Sequence, residues 1–254
     1  MRIGKQDQRA SAISTSTPEA INVRGRDLCG ELIGKIDFTS YFWLLVTGDA
    51  PNEQQLFFAN AVLTALAEHG LVPSVVAARM TYAAAPEAFQ GAVAAGLLGC
   101  GTVVLGAAEA SGRLLHEVVA NGADPAAAVR ALRAEKKAIP GFGHPLHAGG
   151  DPRANLLLNL ADERGASGEH VAALRAIQKV LPDALGRALP INVNGAIPAV
   201  MLDVGFPLAA LKGISLLART ASLIAHLQEE SERPIGFILS GEAAAAIDYD
   251  GPEA

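Results

Sequence analysis

The chain has 254 residues, half of them hydrophobic, and a formal net charge of −6. That length sustains one large domain or two modest ones, and an acidic balance with no polybasic run argues against a nucleic-acid partner. Aromatic residues make up only 5%, so alanine, leucine, valine and glycine must fill the interior, which suits closely packed helices better than a sandwich or barrel.

The opening stretch, "MRIGKQDQRASAIS", lacks the apolar core of a secretory signal. Cys29 and Cys100 form no CxxC pair and no disulfide framework, so a reducing, cytoplasmic setting is expected. The first clear helix runs from Asn52 to Glu68, after "DAP" and before Gly70, with apolar residues at helical spacing. His69 follows it and could interact with the last carbonyls of that helix. Ser74 can cap the next helix, "VVAARMTYA", and Pro86 can open another through "EAFQGAVAAGLL".

Between Gly91 and Ala108 no charged residue occurs. Eighteen such residues nearly span a bilayer, but "GCG" interrupts them and no aromatic or basic belt flanks them. A buried pair of helices is the expectation, not a membrane span. Asp124-Pro125 and Asp151-Pro152 each read as an N-cap followed by proline at the first helical position. Glu169 to Val180 is amphipathic, and Leu208 to Glu230 is long and apolar up to its acidic end. Little alternates with period two, so the fold expected is mainly α. Composition shifts near Glu109 and again near Asn194. A small helical domain, 108–199, is therefore expected as an insert in a larger one made of 1–107 and 200–254, with the substrate in the cleft between them.

One loop is unusually dense in special residues: "PGFGHPLHAGGDPR", 140–153. Gly143 and Pro145 hold His144 on a tight backbone, where an imidazole can exchange a proton with a hydroxyl or carbonyl oxygen or simply bond to backbone. Arg153 sits in a first helical turn, where a guanidinium beside free N–H groups can clamp a carboxylate, though a lone arginine there is more often simply solvated. His144, His147 and Asp151 match no established metal-ligand pattern, and no metal is expected. Arg219 and His226 lie seven residues apart, on one helix face, with Arg233 just beyond. Arg219 interrupts an apolar run, and a buried arginine needs an anionic partner, whether ligand or side chain.

Taken together, these residues resemble the citrate synthase family. "VRGRD" (23–27), "DFTSYFWLLVTGDAP" (37–51), "EHGLVPSVVAARM" (68–80), "PGFGHPLHAGGDPRA" (140–154), "INVNGAIPAVMLDVGFP" (191–207) and "ARTASLIAHLQEE" (218–230) stand in the family's order, and the length is similar to that of its short members named citryl-CoA lyases. The resemblance implies an all-α fold with a large domain and a smaller inserted one that close over the ligands. It implies a coenzyme A thioester and a polycarboxylate as substrates, no permanently bound cofactor, and a homodimer with a shared active site. By motif position, Pro140, Gly141, Phe142 and Gly143 contact CoA, His144 meets the carbonyl or hydroxyl oxygen, and His69, Arg153 and Arg219 bind the substrate. Arg233 resembles an arginine that enters the site from the second subunit. Lys136 and Lys137 are the nearest bases in sequence for the CoA phosphates.

Two positions depart from the family's pattern. Val104 stands where a histidine stabilises the enol of acetyl-CoA, and Asn194 stands where an aspartate removes the methyl proton. Valine has no donor and an amide is no useful base; Asn194 is left as a helix cap. Losing one preorganised oxyanion donor costs on the order of 3–4 kcal/mol, and losing a general base costs roughly 10²–10⁴ in rate. A conventional acetyl-CoA condensation should be severely impaired unless other groups substitute; in cleavage, His144 takes the hydroxyl proton as the carbon–carbon bond breaks, and the enolate needs backbone N–H groups or water for stabilisation. The expected activity is therefore a CoA-thioester lyase acting on citryl-CoA or a related hydroxyacyl-CoA. A condensing acyltransferase and a non-catalytic CoA- or polycarboxylate-binding homologue are the alternatives.

Overall fold

The computed structural model describes residues 9–101, 103, 105–143 and 150–252. His144, His147 and Val104 lie outside the described residues. The chain divides into two compact units, 1–60 and 61–254.

The first unit opens with a three-stranded antiparallel sheet of β1 (Ser14–Ser16), β2 (Ile21–Val23) and β3 (Arg26–Asp27), which the sequence did not lead us to expect. Arg24 and Gly25, both at positive φ (50° and 80°), form the two-residue turn that suits the twist of an antiparallel hairpin. The Arg24 guanidinium donates to the Leu45 carbonyl through Nη2 at 2.6 Å. A π-helical turn, Leu28–Leu32, leads to α1, Phe38–Thr47. Asp37 caps α1 by accepting from the Ser40 N–H, and Gly48 ends it in the left-handed region. Val23, Leu32 and Leu44 form this unit's buried cluster.

Helix α2 spans Glu53–Ala67, within a residue of the expected bounds at each end. In the second unit follow α3 (Pro73–Ala84), α4 (Phe89–Leu98), α5 (Ala107–Ala120), α6 (Pro125–Ala134), α7 (Pro152–Glu163), α8 (Glu169–Leu185), α9 (Val193–Asp203), α10 (Leu211–Glu232) and α11 (Gly236–Ala245). The Asp-Pro signals hold. Asp124 accepts from the N–H groups of Ala126 and Ala127, Asp151 accepts from that of Arg153, and a proline occupies the first turn of each helix. Two other starts differ from expectation. Pro73 opens α3 after Val72, so Ser74 lies inside the helix, fully buried, and does not cap it. Pro86 falls in the turn before α4.

Helix α9 is the hub of one group, packed against α5, α7 and α8. All but three of its eleven residues are buried. Its last residue, Asp203, accepts from the N–H groups of Gly168, His170 and Val171 and from His170 Nδ1 at 2.8 Å, so α9 supplies the missing cap of α8. Helix α10 packs on α3, α4 and α5. By length and composition Leu208–Glu232 could cross a bilayer, yet one face of it carries Arg219, His226 and Glu230 into polar contacts inside this unit. Small residues set these approaches: a Cβ on Gly96 would lie 2.8 Å from the Leu223 side chain, and one on Gly112 would lie 2.5 Å from that of Leu211.

Candidate active site

The glycine-rich loop is bound to the start of α9 at both of its described ends. Phe142 bridges Ile191 in antiparallel fashion. The Asn192 N–H donates to the Gly141 carbonyl at 3.0 Å, the Gly143 N–H to the Pro190 carbonyl at 2.8 Å, and Asn192 Nδ2 to the Gly143 carbonyl at 2.6 Å. Two glycines permit this contact. Gly141 sits at φ +90°, and a Cβ there would lie 2.8 Å from the Gly195 Cα and 2.6 Å from Ser111 Oγ. No L side chain fits that conformation and that space.

The other end is anchored by Asp151, which is fully buried. Its Oδ2 accepts from the Val193 N–H at 2.9 Å and from Arg153 Nη2 at 3.0 Å, and its Oδ1 accepts from Arg153 Nε at 3.1 Å. Burial pushes the Asp151 carboxyl upward, but the bonds from Arg153 and Val193 outweigh it and hold its pKa below the usual aspartate value. Arg153 therefore grips the carboxylate two residues before it. Asp151 also uses the first-turn N–H, and Nη1 is the guanidinium nitrogen without a protein partner among the described residues.

Asn194 does not cap α9. That role belongs to Asn192, whose side chain accepts from the Asn194 N–H at 2.9 Å. Two asparagines stand within one turn, and only the first has the extended backbone a cap requires. Asn194 is half-buried in the first turn, with its amide uncommitted to any described residue.

Beside the loop lies a cavity of about 260 Å³ with a mainly apolar lining that includes Ile139, Phe142, Leu185 and Leu189 and also Arg133 and Arg187. Neither guanidinium pairs with a carboxylate among the described residues. Lys137, by contrast, is engaged with Glu135.

A second set of polar residues follows one face of α10. Arg219 is 3% exposed, and its described partner is the Ser222 hydroxyl, 3.3 Å from Nη1; its Nε is buried with no partner among the described residues. Arg79, 2% exposed, is the opposite case. Its Nε donates to Glu230 Oε2 at 2.6 Å, and its Nη1 donates to Glu229 Oε2 at 2.7 Å and to His226 Nδ1 at 3.2 Å. Burial disfavours its charge, but the bonds to Glu229 and Glu230 prevail and raise its pKa. His226 Nε2 meets Glu68 Oε2 at 2.9 Å, and the Ser222 hydroxyl donates to the same oxygen at 2.6 Å. His69, next to Glu68, is exposed, as is Arg233 at the end of α10. Arg79, Glu68, Glu229 and Glu230 were not singled out by sequence, and their pairing spans about 150 positions.

A family model described as "Citrate synthase, C-terminal domain" matches residues 57–236. The citrate synthase of Synechocystis is 27% identical over 202 residues, which is 77% of this chain and 50% of that protein. The chain thus spans about half the length of the curated relatives it matches. Its backbone superimposes on citryl-CoA lyase from Hydrogenobacter thermophilus with a TM-score of 0.87 and 28% identity, covering 100% of this chain and 96% of that one. It also superimposes on ATP citrate lyase from Methanothrix soehngenii, solved with citrate and coenzyme A, with a TM-score of 0.81. That second likeness, at 24% identity over 99% of this chain and 43% of the other, bears on the fold alone. The fold is the all-α citrate synthase type, and, with the family model covering well over half of it, this chain belongs to the citrate synthase family.

Proposed function

We propose that this protein cleaves citryl-CoA, or a closely related hydroxyacyl-CoA, to acetyl-CoA and an oxoacid such as oxaloacetate. The observation that carries the reading is Arg219. A guanidinium buried to 3% exposure, with Nε unpartnered among the described residues, is a standing electrostatic cost that an anionic ligand relieves. Arg79, equally buried, already has two carboxylates, so the vacancy belongs to Arg219. A polycarboxylate is the fitting ligand. Arg153, His69 and, from the second subunit of a homodimer, Arg233 complete its binding.

The chemistry is assigned to His144. It takes the proton from the substrate hydroxyl; the electron pair left on oxygen forms the oxoacid carbonyl as the carbon–carbon bond breaks. The pair from that bond becomes the acetyl-CoA enolate, which water protonates. Gly143, fixed by Pro190 and Asn192, sets the backbone from which His144 departs. In this proposal the dimer is cytoplasmic and 108–199 is the smaller domain that closes over the ligands. Cleavage of synthetic citryl-CoA, with products identified by mass spectrometry, tests the reading.

The CoA part is assigned to Pro140, Gly141, Phe142 and Gly143 and to the neighbouring cavity. Its apolar lining suits a base, and Arg133 and Arg187 replace Lys136 and Lys137 as the phosphate contacts. Arg133→Ala/Arg187→Ala should weaken CoA binding by about tenfold or more, the worth of a charge-assisted bond, and should leave citrate binding unchanged. Calorimetric titration with CoA and with dephospho-CoA checks this; equal CoA affinity in the double variant would remove these arginines from the site.

One observation favours a second reading, a non-catalytic ligand-binding homologue. Asn194, half-buried at the start of α9, offers an amide and no base. Binding of CoA and citrate without turnover would select that reading.

A further inference from the structure

His69 follows α2, while Arg219 lies in α10 and Arg233 ends that helix; within one chain a single hydrogen-bonded path reaches the turn that carries His69, Arg219, and the Arg233 that this chain would lend to its partner's site. We infer that Arg79 and His226 are positioning residues for the polycarboxylate half of the site, acting through Glu68 and Ser222. The inference rests on the polycarboxylate reading above.

The path begins at Arg79. A guanidinium only donates, so His226 Nδ1, 3.2 Å from Nη1, is the acceptor. The ring hydrogen is thereby placed on Nε2, which donates to Glu68 Oε2 at 2.9 Å. The same carboxylate oxygen receives the Ser222 hydroxyl, whose oxygen accepts from Arg219 Nη1. The other oxygen of Glu68 accepts from the Gly70 N–H. His69 lies between Glu68 and Gly70, so this bond closes a ring around its backbone. One ring orientation, that of His226, thus determines where Glu68 sits. Glu68 in turn fixes Ser222 beside Arg219 and fixes the turn that carries His69.

The opposite side of Arg79 fixes Arg233. Nη2 donates to the Arg233 carbonyl at 3.3 Å. Glu230, held at Arg79 Nε, accepts from the N–H groups of Ile235 and Gly236 at 2.9 and 2.7 Å. Gly236 is pressed against α3: a Cβ there would lie 2.5 Å from the Ala83 Cβ and 2.8 Å from the Arg79 carbonyl. The turn bearing Arg233 cannot shift without breaking these bonds. A buried ionic network contributes little net stability compared with an apolar replacement. Its value here lies in fixing geometry, as a supporting shell does for the residues that touch a ligand.

Two partial replacements of His226 separate the halves of the path. His226→Asn puts a carbonyl oxygen near the position of Nδ1, keeping an acceptor for Arg79 and losing the donor to Glu68. His226→Gln puts an amide near the position of Nε2, keeping the donor to Glu68. The probes are citrate and CoA, each titrated calorimetrically into the full chain, with Tm measured alongside. His226→Asn should weaken citrate binding by about tenfold or more, His226→Gln should restore most of it, and CoA affinity should stay within about twofold in both. Unchanged citrate affinity in His226→Asn overturns the inference. So does an equal loss for citrate and CoA, which marks a purely structural residue. A wild-type protein that takes CoA but no citrate brings down the polycarboxylate reading and the inference together, and is told apart because it needs no variant.

Discussion

Arg219→Met should abolish citrate binding while leaving the unliganded protein as stable as before, or more so. Methionine keeps much of the straight apolar stem and drops a buried charge that no described carboxylate balances. Nothing is stranded by the change, because the Ser222 hydroxyl keeps its bond to Glu68. In the liganded state the same substitution leaves a buried substrate carboxylate unpaired. Removing one partner of a buried pair costs about 3–5 kcal/mol, or roughly 10²–10⁴ in affinity. Titration with citrate and a melting curve of the free protein check both halves. A variant that binds citrate normally, or one that loses several degrees of Tm, would mean that Arg219 is structural.

Asp151→Ala should have the converse profile, a large loss of stability with or without ligand. Four donors converge on this buried carboxylate: the N–H groups of Val193 and Arg153, and Arg153 Nε and Nη2. Its removal leaves a buried N–H and a guanidinium without a counter-ion, at a cost of about 3–5 kcal/mol. That corresponds to a Tm lower by roughly 6–20 °C for a chain of this size. The acid dependence has a fixed sign. The folded-state pKa of Asp151 is depressed, so the folded protein releases this proton at a lower pH than the unfolded chain does. The stabilisation is complete above the unfolded value of about 3.9 and is lost as pH falls below it through the folded pKa. Tm of the wild type should therefore drop more steeply below about pH 4 than that of Asp151→Asn. Parallel curves would mean that Asp151 does not anchor the loop.

Much of the helical layout was legible because the relevant signals are local. Asp124-Pro125 and Asp151-Pro152 carry the cap and the first-turn residue side by side, and both mark real starts. The N-terminal sheet was not legible, since strands of two or three residues are too short to display an alternation. Its one cue was the Arg24-Gly25 turn. At α3 and α9, neighbouring residues competed for a cap. Ser74 and Asn194 have suitable side chains, but Val72 and Asn192 hold the extended backbone.

The site was legible where chemistry conflicted with its surroundings. Arg219 stood out as a charge in an apolar run, and it is buried. Arg79 also lies in an apolar helix, but its partners Glu229 and Glu230 are some 150 positions away. Its burial and its bonds are properties of the packed fold. Arg153 illustrates a third case. Its place in a first helical turn suggested a clamp for a ligand carboxylate, while its spacing from Asp151 lets it close on Asp151 itself. Periodicity finds the face on which a residue lies, but it does not distinguish a satisfied charge from one awaiting a ligand.

The measurement that bears most directly on the function is release of acetyl-CoA and oxaloacetate from synthetic citryl-CoA by the purified protein, with His144→Ala beside it. The wild type should release both products, and the variant should do so at a rate lower by roughly 10²–10⁴, the usual worth of a general base. Equal rates in the two proteins, or no release by a protein that binds both CoA and citrate, would contradict the proposed reaction.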